Sequence, residues 1–426
     1  MALPAAGPMP PFAAPAFAEP VPAVIATPFR ERLLLVILFI AVFASSVGFI
    51  EPSPHDALMG VLAVAGLIAG VRFHRILVVP FALLLLWNFF GMMALIRVGD
   101  QEMTIQYTAT SIYLAIAAMV FALLFAQNTM ARLTVMQRAY VLTAVIFGIL
   151  GCLGYFHAFP GADVFTRDER AHGAFKDPNV FGPFQIWPIL FLVNRMLTQR
   201  ISISDLVGSA IIMFSLLLCF SRGAWFHFVV SALVMIALDF LTAPTSKARM
   251  RIFNMSALSV AAVAALLIFL LSFSSIGTMF TERAQLIQSY DVGSGGRFRL
   301  QELALGAVLN YPNGMGPFEF ARVHGLQQHN VYLQAFLVYG WAGAMSYLLL
   351  LGSTVWIGLK TAFAPTPWQP YAITALAVFV GEIAEGFVID TDHWRHFYLL
   401  LGIIWGLAAA TRAAQRQTPR FPAASV

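Results

Sequence analysis

Long apolar runs recur along the whole chain, and they decide its solvent before anything else does. An α-helix needs about 20 apolar residues to cross the hydrocarbon core of a bilayer. Such stretches stand at 33–50, 57–71, 76–96, 105–126, 140–156, 180–197, 203–220, 224–241, 253–276, 331–359, 370–389 and 396–411. The second and the last are short enough to tilt or to lie at an interface. Composition agrees, with 60% of the 426 residues hydrophobic and 11% charged, where a soluble protein carries roughly a quarter charged residues. No soluble core could hide so much apolar surface. The sequence therefore predicts an all-α polytopic membrane protein of about twelve transmembrane helices.

The charges orient it. The first 29 residues are rich in Ala and Pro and lack a charged signal-peptide start, which predicts a disordered cytoplasmic tail. Nine helices then fall within 30–276, with a long outer loop at 157–179; a larger outer loop spans 277–330, three helices span 331–411, and a cytoplasmic tail covers 412–426. With the N-terminus inside, most of the 25 Lys and Arg, including Arg132 between two helices, lie at inner ends and most of the 20 Asp and Glu outside, so both termini are expected in the cytoplasm. The basic balance is thus topological and calls for no nucleic acid. Cations kept outside against that bias need another reason, and anion binding supplies one. Eight of the ten occupy three places: Arg167, Arg170 and Lys176 in the first loop, Arg222 at a turn, and Arg283, Arg297, Arg299 and Arg322 in the second. Cys152 and Cys219 both lie in apolar runs and read as small buried hydrophobes.

Several local patterns could carry chemistry. The second loop ends Gln327-Gln328-His329-Asn330 directly before a helix, which puts His329 at an outer helix mouth. An imidazole there suits a general base; it equally suits an interfacial histidine bonded to a neighbouring loop. Only Ser221-Arg222-Gly223 joins 203–220 to 224–241, predicting a tight outer hairpin in which Arg222 is either a snorkelling anchor beside Trp225 or an anion ligand. The Gly-rich stretch Asp291–Gly296 precedes Arg297 and Arg299, so backbone N–H groups could also approach an anion. Arg297 to Asn310 reads as a short amphipathic helix along the membrane surface, closed by the turn Tyr311-Pro312-Asn313-Gly314. Asp390-Thr391-Asp392 has the look of a metal-binding acidic pair but reads more simply as a solvated loop. Glu382 and Glu385, three apart on one helix face, must look into the bundle or a wet cavity. A proton-coupled transporter would use such acids.

At these residues the chain resembles the O-antigen ligase and polymerase superfamily, bacterial integral-membrane glycosyltransferases that use polyprenyl-pyrophosphate-linked glycans. Gly173-Ala174-Phe175-Lys176-Asp177-Pro178-Asn179 resembles the family's G-x-F-x-x-P-N stretch, and Ser221-Arg222-Gly223 its S-R-G turn. Gly296-Arg297 through Tyr311-Pro312-x-Gly314-x-Gly316, then His329-Asn330-x-Tyr332-Leu333 and Gly340-x-x-Gly343, carry the rest. The motifs cover roughly 165–345; Tyr339 departs from the acid many members carry before the first glycine of the last motif.

The resemblance implies a GT-C-like fold with two long periplasmic loops, in the bacterial inner membrane, and an inverting transfer that needs neither metal nor other cofactor. It implies that Arg222 and Arg297 hold the donor pyrophosphate while His329 activates or orients the acceptor hydroxyl, with Asn330 in support. Phosphate chemistry adds Arg170, Lys176 and Arg299 as further contacts, and Asp177 and Asn179 as residues that shape the first loop. The implied partners are undecaprenyl-pyrophosphate-linked glycan, a lipid A–core or growing-glycan acceptor, and membrane lipids. A ligase to lipid A–core is the expected activity, with a polymerase of O-antigen or exopolysaccharide repeats as its nearest rival.

Overall fold

The computed structural model describes residues 28–50, 52–285 and 296–417. The expected N-terminal tail up to residue 27, the Gly-rich stretch Asp291–Gly295 and the end of the chain from 418 onward lie outside the described residues. Four helices open the chain: α1 (Phe29–Ala44), α2 (Pro54–Ile68), α3 (Val78–Val98) and α4 (Glu102–Phe125). After α5 (Thr129–Tyr155), the first long loop carries a small hairpin, β1 (Thr166–Arg167) with β2 (Arg170–Ala171). Then come α6 (Pro178–Phe184), α7 (Ile186–Thr198), α8 (Ile203–Leu218), α9 (Arg222–Thr242) and α10 (Ser246–Leu271). The second long loop holds α11 (Ser274–Ala284), α12 (Arg297–Asn310) and α13 (Glu319–His324). Last are α14 (Val331–Ala362), α15 (Gln369–Glu385) and α16 (Arg395–Gln417).

Every apolar stretch read from the sequence is helical, and eight helices among the described residues are long and apolar enough to cross a membrane. The protein is all-α, and its surface requires an apolar solvent. α10 is among the most apolar helices, yet almost none of it is buried; Val260 and Ile268 are 67% and 71% exposed. Only lipid tolerates such a face.

Four expectations need correction. α5 starts at Thr129 rather than 140, because Arg132, read as an inner-loop cation, is buried: it forks onto Glu31 of α1 at 2.9 and 2.8 Å and donates to Leu124 O. Proline at 183 and the buried Gln185 divide the sixth stretch into α6 and α7. The expected hairpin of α8 and α9 is only a shared turn, for α8 packs on α5 and α7 while α9 packs on α15. The residues 412–417 expected in a tail complete α16.

α16 lies along α4 with glycines at the crossing; a Cβ on Gly406 would stand 2.8 Å from Ala122 O, so only hydrogen permits the approach. α12 occupies the expected span and presses Leu300 and Ala304 onto Phe320 and Leu337.

α14 is broken at Gly340, which takes φ +69° and ψ −178°, a region open in practice to glycine alone. A continuous helix would join Trp341 N–H to Leu337 C=O. Here both groups turn to the second loop instead: Trp341 N donates to Pro312 O at 2.8 Å, and Leu337 O accepts from Met315 N at 2.6 Å. The Tyr311–Gly316 turn therefore replaces a missing rung of α14. A Cβ at 340 would stand 2.7 Å from Pro312 O. Gly340→Ala is expected to cost about 1–3 kcal/mol in backbone strain alone and to lower the thermal unfolding midpoint in detergent. An unchanged midpoint would show that the break is not required.

Candidate active site

Polar residues gather at one end of the bundle, where α1, α3, α5, α8 and α15 finish and α2, α4, α6, α9, α14 and α16 begin. Cross-links between these ends define it: Gly48 N to Ala174 O, Arg97 to Gly314 O, Gln101 to Glu319 and Arg395 to Asp56. Helix ends leave backbone groups unpaired, and in an apolar solvent those groups must find partners within the protein.

Asn330 caps α14. Its Oδ1 accepts from the N–H groups of Tyr332 and Leu333, both at 3.0 Å, and its Nδ2 donates to Phe387 O at 3.1 Å. Val331 N donates to Gly386 O at 2.9 Å, so the start of α14 is riveted to the end of α15. The residue just before the cap, His329, takes a left-handed φ of +49°. That conformation is uncommon away from glycine and is held by the fixed cap. Gln301 of α12 reaches both His329 O and Phe387 O, at 3.4 and 3.3 Å.

The half-exposed His329 imidazole sets Nδ1 3.8 Å from Asp390 Oδ2. Burial lowers its pKa below the usual histidine value and the Arg297 charge lowers it further, with Asp177 opposing. The ring is therefore mostly neutral near pH 7 and able to accept a proton. Burial, and then the neighbouring Asp392 charge, push Asp390 up to about 7. Asp392 behaves oppositely: burial works against its charge, but His393 and the hydrogen bonds it receives prevail, so its pKa is lowered. Tyr107 donates to Asp392 Oδ2 at 2.8 Å, and His393 Nδ1 lies 3.1 Å from the same oxygen. The Asp390–Asp392 turn is thus packed into the site rather than solvated; Thr391 and Asp392 are buried.

Arg222 opens α9, where Ser221 Oγ caps by accepting from Ala224 N at 3.3 Å, and its guanidinium donates to Gln285 O at 2.8 Å. Gly223 lies against α15, since a Cβ there would come within 2.7 Å of Glu385 Oε1. Beneath this turn, the buried Arg170 donates from Nε to Cys219 O at 2.8 Å and from Nη2 to Asn179 Oδ1 at 2.7 Å. It braces the first loop against the end of α8. Asp177 caps α6 by accepting from Asn179 N at 2.7 Å. Lys176 is exposed and lines, with Asp177, Arg395 and His396, a cavity of about 230 Å³.

The fold thus gathers His329, Asn330, Arg297 and Asp177 around the start of α14, and sets Arg222 on the adjoining end of α15. Arg170 and Asn179 form the brace below, and Lys176 sits at a cavity mouth. Arg299 is exposed and paired with Glu302 of its own helix at 2.6 Å.

Sequence reasoning missed three groups. Asp390 had no signal beyond a short acidic match. His227, a single histidine in an apolar run, and His396, just after the polar 390–395 segment, pair with the two buried glutamates: His227 Nδ1 is 2.8 Å from Glu385 Oε2, and His396 Nε2 is 3.4 Å from Glu382 Oε1. Glu382 and Glu385 do face the bundle interior. His227 Nε2 meets Val378 O at 3.0 Å. A carbonyl only accepts, so that nitrogen carries hydrogen and the Nδ1–Glu385 contact holds one further proton. Among the described residues no group of three or more His, Cys, Asp or Glu is placed to hold a metal ion.

No protein-family profile matches the chain, and no curated protein matches it.

Arg297→Gln removes a charge that lowers the His329 pKa, so the midpoint of the ring's titration is expected to rise. The rate of diethyl pyrocarbonate modification at His329, followed against pH by mass spectrometry, reads that midpoint. An unmoved midpoint would mean the Arg297 charge does not reach the imidazole.

Proposed function

We propose that the protein is an O-antigen ligase-like glycosyltransferase that moves a glycan from undecaprenyl pyrophosphate to lipid A–core. The observation that carries this is the neutral-leaning His329, held beside Asp390 and within the field of Arg297. The motif resemblance supplies the donor class. In the proposed topology twelve helical passes, in a GT-C-like arrangement, cross the bacterial inner membrane. Both termini lie in the cytoplasm and the His329 end opens to the periplasm. The alternating directions of the helices and the charge bias support that orientation.

An acceptor hydroxyl gives its proton to the His329 ring through Nε2, while Nδ1 faces Asp390. The acceptor oxygen attacks the anomeric carbon and the bond to the pyrophosphate oxygen breaks, inverting the centre. Undecaprenyl pyrophosphate leaves with the electron pair, and Arg297 and Arg222 stabilise the charge it gains. Protein cations fill the role a metal would have, so activity is expected to survive chelation. Loss on chelation with rescue by Mg²⁺ would point to Asp390 and Asp392 as ligands instead.

A polymerase differs only in acceptor. Deleting the gene separates the two on a lipopolysaccharide gel: loss of all O-antigen marks a ligase, and a core capped by a single repeat marks a polymerase. A second reading, a proton-coupled transporter, is favoured by the buried His227–Glu385 and His396–Glu382 pairs. It fails if Glu385→Gln leaves solute uptake intact.

With purified protein, lipid-linked donor and defined acceptor, His329→Ala is expected to lower kcat by about 10²–10⁴. Arg222→Ala should lower it by roughly 10²–10³. Full transfer by both variants would end the transferase reading.

A further inference from the structure

A cleft of about 690 Å³ opens beside His329, between α2, α4, the segment leading into α13 and the turn from α15 to α16. Small-molecule sites run about 300–1,000 Å³, so the space suits a ligand of a few sugar rings. Four aromatic side chains line it, Tyr107, Tyr113, Phe318 and Trp394. Between them stand planar hydrogen-bonding groups, among them Gln106 and Asp390. Rings of this kind cover the C–H faces of a pyranose, while planar amides and carboxylates pair with neighbouring hydroxyls.

The charges of the lining argue against an anion. Arg395 is bound twice by Asp56, at 3.1 and 3.2 Å, and His393 stands against Asp392, so each cation already has its counter-charge. An acyl chain could not pair with the polar groups that line the cleft, so it would desolvate them without return. A hydroxyl-rich, uncharged face is what remains.

The floor is rigid. Gln328 donates to Gln334, Gln334 to Tyr107, and Tyr107 to Asp392, so a chain of hydrogen bonds fixes the rings and amides before any ligand arrives. Asp390 belongs both to the cleft and to the His329 contact, and its Oδ1 is buried without a hydrogen-bond partner among the described residues. A sugar hydroxyl donating to that oxygen would satisfy it and lie next to the imidazole.

We infer that this cleft is the acceptor subsite, a glycan-binding site for the terminal sugars of the acceptor, joined to His329 through Asp390. The inference rests on the transferase reading for the word acceptor; that the cleft takes sugar can be tested without transfer.

The test uses the full chain in detergent and two probes: core oligosaccharide freed of its acyl chains, and undecaprenyl pyrophosphate. Thr110 lines the cleft, and Thr110→Trp fills it. Oligosaccharide affinity is expected to fall by tenfold or more, about the effect of losing one well-made contact, while undecaprenyl pyrophosphate binds as before. Unchanged oligosaccharide binding by this variant overturns the inference. So does wild-type protein that binds lipid-borne acceptor but not the free oligosaccharide, since the acyl chain then carries the affinity. Should Thr110→Trp fail to fold, Gln106→Ala with Gln327→Ala decides by the same criterion, because both side chains reach the cleft from solvent-facing positions. Oligosaccharide bound in the cleft with no transfer to it leaves this inference standing and removes the transferase reading.

Discussion

The start of α14 is where the architecture of the polar end is decided. One side chain, Asn330, caps two N–H groups of α14 with its oxygen and pins the chain after α15 with its nitrogen. The Val331–Gly386 bond closes the same joint. In water such a joint would be one helix cap among many, contributing on the order of 1 kcal/mol. At a membrane face, where each backbone group left dry costs several kcal/mol, it pairs the backbone groups of both helix ends at once. His329 lies just before this joint and Asp390 shortly after it, and their side chains approach to 3.8 Å.

The same economy governs the two long loops. The Tyr311–Gly316 turn supplies the acceptor and the donor that the break at Gly340 leaves over, so the loop is part of the helix ladder rather than an addition to it. The first loop is braced by Arg170, whose buried guanidinium joins the end of α8 to Asn179. The cations at this end of the bundle serve two purposes: Arg170 holds the frame, while Arg222 and Arg297 stand in the first turns of α9 and α12, where N–H groups add to the positive field.

How far the sequence alone reaches depends on whether a residue's partner is near it in the chain. Helices were legible because apolar length is local, and α12 because its helical propensity and following turn are too. The start of α5 was not, since Arg132 reads as a loop cation until Glu31, a hundred residues away, neutralises it. His329 and Asn330 were legible from their place before a helix. Asp390 was not, because a short acidic match means nothing until α14 and α15 are joined. His227 and His396 were hidden for the same reason, the first a lone polar residue in an apolar run and the second one of several polar residues where α16 begins, until a glutamate from α15 meets each. Arg170 shows the converse: its charge and loop position suggest a ligand contact, and only the fold reveals its engagement with Cys219 and Asn179.

Arg297 acts on both reactants if the proposed chemistry holds. Its charge attracts a pyrophosphate and, in the empty site, lowers the proton affinity of His329. A bound pyrophosphate carries at least as much negative charge as Arg297 carries positive, so it cancels that field at the imidazole and strengthens the base. Deprotonation of the acceptor then becomes easiest when a leaving group is in place to use it. Asp390 joins the base to the ring-lined cleft, since it meets His329 at 3.8 Å and also lines that cleft.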